Sequence, residues 1–169
     1  MVHNCAFLLN AGHETTTNLL GNAMKALFAN PAALASLRAD PGLAESAVEE
    51  FLRYDSPDQL GGRRARVDVE IGGVPIPDGA FVWISNGSAN RDPAQFSDPD
   101  RLDLARTPKR HLAFGFGMHL CLGANLARLE ARVGILGLIR RFPALRPLGA
   151  PVSKGHPRYR GLRSYRVAV

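Results

Sequence analysis

Cysteine is nearly absent from this chain, with Cys5 and Cys121 the only two in 169 residues. Two thiols cannot build a disulfide framework, so a reducing compartment is the simpler setting. Long apolar runs are missing as well. The N-terminal apolar stretch is broken by Asn10, His13 and Glu14, which argues against a membrane span or a secretory leader. Internal repeats, low-complexity tracts and linkers are also lacking, and a single domain over residues 1–169 is expected. Acids are the minority charge, fifteen against twenty-one Lys and Arg, leaving +6. That excess suits an acidic partner or an anionic ligand without naming either. With 46% hydrophobic and 21% charged residues, the composition is that of a globular chain able to bury one core.

The pattern that is present reads as mainly helix with small sheets. Val2 to Ala29 forms one long helix, roughly 40 Å, ended by Asn30-Pro31. Its two ends are apolar, but "NAGHETTTN", Asn10 to Asn18, is polar, glycine-containing and rich in threonine. Such residues weaken a helix and compete for its hydrogen bonds, so a locally unfavourable centre marks a site. A short helix is expected over Pro31 to Ala39, and a firm one through "GLAESAVEEFLRYDSP", stopped by Pro57. Alternation of Ala65, Val67, Val69 and Ile71 predicts a strand, "GG" a turn, and "IPDGAFVWIS" a turn and second strand. "ANRDPAQFSDPDRLDLAR" predicts an irregular meander, and "HPRYRGLRSYRVAV" short terminal strands.

Chemistry concentrates in "FGFGMHLCLGANLARLEAR", Phe114 to Arg132. The apolar period of Leu122, Leu126, Leu129, Val133 and Leu136 places Cys121 at or beside a helix N-terminus. Free backbone N–H groups and the positive end of the helix dipole stabilise an anion there, so a thiolate ligand or nucleophile fits. Gly115, Gly117 and Gly123 let backbone approach a bulky flat group, and His119 can donate to an acidic substituent on it. A buried structural cysteine beside an ordinary turn is the competing reading. A nucleotide loop fits worse, since the third glycine is misplaced and no Lys-Ser/Thr follows. Zinc would need His3, Cys5, His119 and Cys121, yet residues two apart on a helix point to nearly opposite sides, and no close CxxC or HxxxH pair exists.

Taken together these stretches resemble the cytochrome P450 haem-thiolate monooxygenases, soluble bacterial type. Phe114, Gly117, His119, Cys121 and Gly123 match the F-x-x-G-x-(H/R)-x-C-x-G loop, and "AGHETT" looks like the A-G-x-(D/E)-T motif. "EFLR" matches the E-x-x-R pair through Glu50 and Arg53, and "RDPAQFSDPDRLD" resembles the segment before the cysteine loop. Asp58 and Val67 depart from the usual apolar and acidic residues.

The resemblance implies the C-terminal portion of that fold: the oxygen-binding helix, the E-x-x-R helix, the meander, the cysteine loop and the helix after it. It implies haem b with Cys121 as axial thiolate, Phe114 beside the sulfur, and Gly115, Gly117 and Gly123 passing close. His119 and Arg63 (with Arg64 a rival) would hold propionates, Ala11 and Gly12 would leave room for dioxygen, and Glu14 and Thr15 would relay protons. For Thr16 and Thr17, back-bonding to the helix is preferred. Glu50 and Arg53 are expected as a buried network supporting the cysteine loop.

The implied reaction inserts one atom of dioxygen into a small organic substrate, with NAD(P)H electrons arriving through a ferredoxin or flavoprotein. Lys109, Arg110, Arg128 and Arg132 offer a basic docking face, against ordinary solvated charge. Most of the family's substrate pocket precedes the stretch matched here, so the isolated chain is expected to be inactive, with much of the long helix's apolar surface uncovered. The alternative is a non-catalytic haem- or anion-binding module. Cytoplasmic placement is expected and no nucleic-acid partner, because the spacing of Arg158, Arg160, Arg163 and Arg166 suits the exposed side of short strands.

Overall fold

Asn30 and Pro31 do at the end of the first helix what their chemistry requires. In the computed structural model, which describes residues 1–107 and 110–169, helix α1 runs Val2–Ala29 and the Asn30 amide donates to the Ala26 carbonyl. Pro31 then opens α2, Pro31–Ala39, at a position where its missing N–H is not needed. Asp40 caps a single 3₁₀ turn, Pro41–Leu43, that leads into α3, Ala44–Tyr54. Two further helices follow, α4 (Asn86–Ala89) and α5 (Ala124–Arg141).

The core lies where α1, α2, α3 and α5 meet. Leu19, Ala23 and Leu27 from α1 pack with Leu34 and Leu37, with Ala47, Val48 and Phe51, and with Ala131, Ile135 and Ile139. Spacings of four place the last three on one stripe of α5. Gly134 lets α1 come close, since a Cβ there would stand 3.0 Å from Leu20. The first half of α1 takes no part in this core: Phe7, Leu8 and Leu9 are exposed. So is the stripe that located α5 in the sequence, Leu122, Leu126, Leu129 and Val133. Thus α5 is apolar on two faces and buries only one.

Among the described residues there are four two-stranded antiparallel sheets. They pair β1 (Leu60–Arg64) with β4 (Phe81–Ser85), and β2 (Val69–Ile71) with β3 (Val74–Ile76). In the tail β5 (Arg146–Pro147) pairs with β8 (Val167–Ala168), and β6 (Val152–Ser153) with β7 (Leu162–Ser164). The expected strand over 65–71 is therefore corrected: only its last three residues are a strand, and all three are exposed. Ala65 instead closes a turn with Ala80 and Gly79, and the Asp68 carboxylate accepts the Asp78 N–H at 2.7 Å. Strand β1 escaped notice because "LGGRR" carries no alternation. Gly62 makes room in it for the Phe81 ring, which lies 2.6 Å from where a Cβ would stand.

Candidate cofactor-binding site

Phe114 through Gly123 forms a loop that doubles back on itself. Gly115 and Gly117 adopt φ of 71° and 77°, a conformation open to glycine and strained for other residues. Between them and the cysteine stands one 3₁₀ turn, Gly117–His119, after which the Cys121 N–H donates to the Phe114 carbonyl at 3.0 Å. The Ala124 N–H closes on the Cys121 carbonyl at 3.3 Å, and α5 begins. Cys121 thus stands three residues ahead of α5, with its thiol exposed rather than buried. The structural-cysteine reading fails on that exposure.

The loop's surroundings are unusual for a water-facing surface. Phe116, Met118, Leu120 and Leu122 are all exposed beside the thiol, and His119 is exposed among them. At Gly123 φ is −86°, and a Cβ there, like one at Gly12 in the middle of α1, would meet nothing within 4 Å. Neither conformation nor packing within the chain calls for glycine at these two positions. A large flat apolar group bearing carboxylates, ligated by sulfur, fits this donor set: soft thiolate for iron, apolar rim for the ring, His119 for an acid.

On α1, Ala11 and Gly12 are exposed and Glu14 and Thr15 half-buried. Glu14 is ion-paired with Lys154 of the tail at 3.0 Å, a partner 140 residues away that no local pattern reveals. The Thr15 hydroxyl donates to the Ala11 carbonyl at 2.8 Å, and Thr17 does the same to His13. Back-bonding, expected for Thr16 and Thr17, is found at Thr17 and at Thr15, while no such bond is seen at Thr16. Arg63 lies exposed on β1 with Nη1 on its neighbour Gly62, and Arg64 reaches the Gly79 carbonyl. Among the described residues, no hydrogen bond or ion pair links the α1 group, Arg63 and the cysteine loop to one another. Nor does any group of three or more His, Cys, Asp or Glu among them suit a metal ion.

Glu50 and Arg53 form a buried network. Each side chain is 2% exposed, and the guanidinium grips both carboxylate oxygens at 2.7 and 2.8 Å. Its remaining N–H groups donate to the carbonyls of Asn90, Pro99 and Arg101, so all five donors are used. Glu50 in turn accepts from the Asp103 N–H and from Arg106. The connection onward to the loop runs through Asn90, whose side chain accepts the Leu112 N–H at 2.7 Å.

Sequence reasoning missed a second cluster, next to the first. Glu49 accepts a two-pronged interaction from Arg128 at 2.7 and 3.0 Å, and His111 Nε2 lies 3.2 Å from the same carboxylate. Burial alone would raise the Glu49 pKa, but the hydrogen bonds from His111 and Arg128 and their charges outweigh it, holding the carboxyl at about 2. Arg128 is therefore turned toward α3, which removes it from the expected docking face; Lys109 of that face lies outside the described residues. In the tail, Arg158 pairs with Asp58 and Arg160 with Asp55, so these two arginines are not a free basic patch. The departure at Asp58 thereby has a structural partner.

A thiol offered at the mouth of a helix, with an apolar rim and a buried Glu–Arg support behind it, defines a protein of the haem-thiolate class. Comparison with known proteins makes this specific. The family model "Cytochrome P450" matches residues 42–158, and the chain belongs to the cytochrome P450 family. It is 51% identical over 145 residues to Cytochrome P450 107B1 of Saccharopolyspora erythraea, covering 85% of this chain and 36% of that relative. It is 49% identical over 141 residues to the biotin biosynthesis cytochrome P450 of Bacillus subtilis, covering 83% and 36%. The solved structure of CYP109B1 from Bacillus subtilis superposes with a TM-score of 0.94 at 43% identity, covering 98% of this chain and 45% of that one. P450BioI, crystallised with an acyl carrier protein ligated to hexadec-9Z-enoic acid, gives 0.94 at 44%, covering 96% and 43%. This chain thus spans 36% of the length of these two curated relatives. The family implies haem with a thiolate ligand. Among the described residues no helix is long and apolar enough to cross a membrane.

Proposed function

We propose that this chain is the haem-binding, oxygen-activating portion of a bacterial monooxygenase, acting on a small organic substrate. The observation that carries the reading is the exposed Cys121 thiol, ringed by exposed Phe116, Met118, Leu120 and Leu122 beside glycines that nothing in the chain itself calls for. Cys121 would supply the thiolate that holds the iron. Phe114, Gly115, Gly117 and Gly123 let the ring approach, and His119 and Arg63 bind its propionates. Bound there, haem supplies the reductive activation of dioxygen by which one oxygen atom enters the substrate. Ala11 and Gly12 leave the space that dioxygen needs. Glu14 and the Thr15 hydroxyl, the latter on letting go of the Ala11 carbonyl, would relay protons toward that space. Electrons from NAD(P)H arrive through a ferredoxin or flavoprotein reductase, in the cytoplasm.

Adding haem to the full chain tests this. The ferrous carbonyl complex is expected to show the red-shifted Soret band of thiolate ligation, and Cys121→Ser is expected to abolish it while haem adsorption persists. An unshifted band in the parent chain overturns the reading. A second reading, a module that holds haem without turning over substrate, is favoured by the exposed Phe7, Leu8 and Leu9 of α1 and Leu126 and Val133 of α5. Thiolate spectra without product from any substrate supplied would select it.

A further inference from the structure

We propose that Glu49, His111 and Arg128 form a clamp that positions the Cys121 loop, with Phe114 as the jaw. None of the three touches the sulfur, and each acts through the loop's backbone or the Phe114 ring. Glu49 extends from α3, next to the buried Glu50 and one turn from the buried Arg53. Its carboxylate fixes the Arg128 guanidinium two-pronged, which orients that plane as a single ammonium would not. The guanidinium carbon lies 4.7 Å from the centroid of the Phe114 ring, within reach of a cation–π contact.

The second arm is His111. Its Nδ1 accepts the Ala113 N–H at 3.2 Å, which assigns the ring proton to Nε2, and Nε2–H then donates to Glu49. The imidazole thus ties the backbone immediately before Phe114 to the carboxylate that holds Arg128. Phe114 is gripped from the ring side by Arg128 and from the chain side by His111. Its carbonyl accepts the Cys121 N–H, so holding Phe114 holds the cysteine. The hydrogen bond to Glu49 pushes the Arg128 pKa up against the opposing effect of burial, and the charge of Glu49 adds to the rise.

The purpose of the clamp rests on the haem-thiolate reading, but its existence does not, and the test needs no haem. Amide hydrogen exchange is measured by NMR on the full chain, following the Cys121 N–H with the core of α3 as internal reference. Arg128→Lys and Glu49→Gln are each expected to speed Cys121 exchange about tenfold, with α3 unchanged within about twofold. The double variant should be no faster than either single, because both changes break one unit. Arg132→Lys, a neighbouring exposed arginine on α5, should be silent. Phe114→Leu removes the jaw while leaving the ion pair, and should loosen the loop to the same degree.

The proposal is overturned if Arg128→Lys leaves Cys121 exchange within twofold of the parent, or if the single effects add. Equal loosening of α3 and the loop overturns it too, as does a parent loop already exchanging like unstructured chain. Failure to take up haem would sink the functional reading and leave these results standing.

Discussion

Glu49→Gln should change how stability depends on pH, and the structure fixes both the sign and the window. The Glu49 carboxyl titrates near 2 in the folded chain instead of at 4.5. A carboxyl lowered in this way contributes stability that is fully present above the unfolded value, and that is lost as pH falls through the folded one. The full linkage amounts to at most about 3 kcal/mol. The Arg128 side chain is 39% exposed, so water screens part of the attraction, and about 1–2 kcal/mol is expected at neutral pH.

Gln cannot ionise, so the difference in unfolding free energy between parent and variant isolates this one group. Urea unfolding at a series of pH values measures it. The difference should be flat from pH 7 to about 5, fall to about two-fifths of its plateau near pH 3, and vanish by about pH 2. His111 and Arg128 are the partners facing Glu49 and are present in both chains. A difference that stays constant between pH 6 and pH 3 would refute the reasoning, since it would mean that Gln replaces the carboxylate by shape alone.

Other outcomes follow from the same structure. Glu50→Ala strands the Arg53 guanidinium at 2% exposure, and urea unfolding should report a loss of about 3–5 kcal/mol. Gly12→Ala, where a new Cβ meets nothing within 4 Å, should stabilise the haem-free chain by about 0.5–1 kcal/mol and yet weaken haem uptake in a spectral titration. Gly62→Ala pushes against the tip of the exposed Phe81 ring, which can swing aside, and thermal unfolding should show a cost of no more than about 1 kcal/mol. Lys154→Ala removes a solvent-exposed partner of Glu14 and should cost no more than about 1 kcal/mol.

The helices were legible because their signals are local. Pro31 ends one helix and starts another, and spacings of three and four along α3 and α5 mark their axes. Strand β1 was hidden because its pairing with β4 depends on Gly62 making room for Phe81, a contact between residues nineteen apart in the chain. The alternation at Val69 and Ile71 misled for a related reason, since it marks no buried face in a hairpin that lies in solvent. The α5 stripe located the helix without telling which face is buried: leucines spaced along one side are apolar whether or not anything covers them.

By itself the order of residues determined the main helices to within a few residues at their ends, and the family to which the chain belongs. Capping, proline geometry and motif spacing act over a few residues, and no distant partner is needed to express them. Only the tertiary structure decided that the Cys121 thiol is exposed, that Glu14 meets Lys154, and that Arg128 lies against Glu49 and Phe114. Charge–charge and ring contacts between residues tens to more than a hundred positions apart depend on how helices pack. Packing is set by the whole core at once rather than by any segment within it.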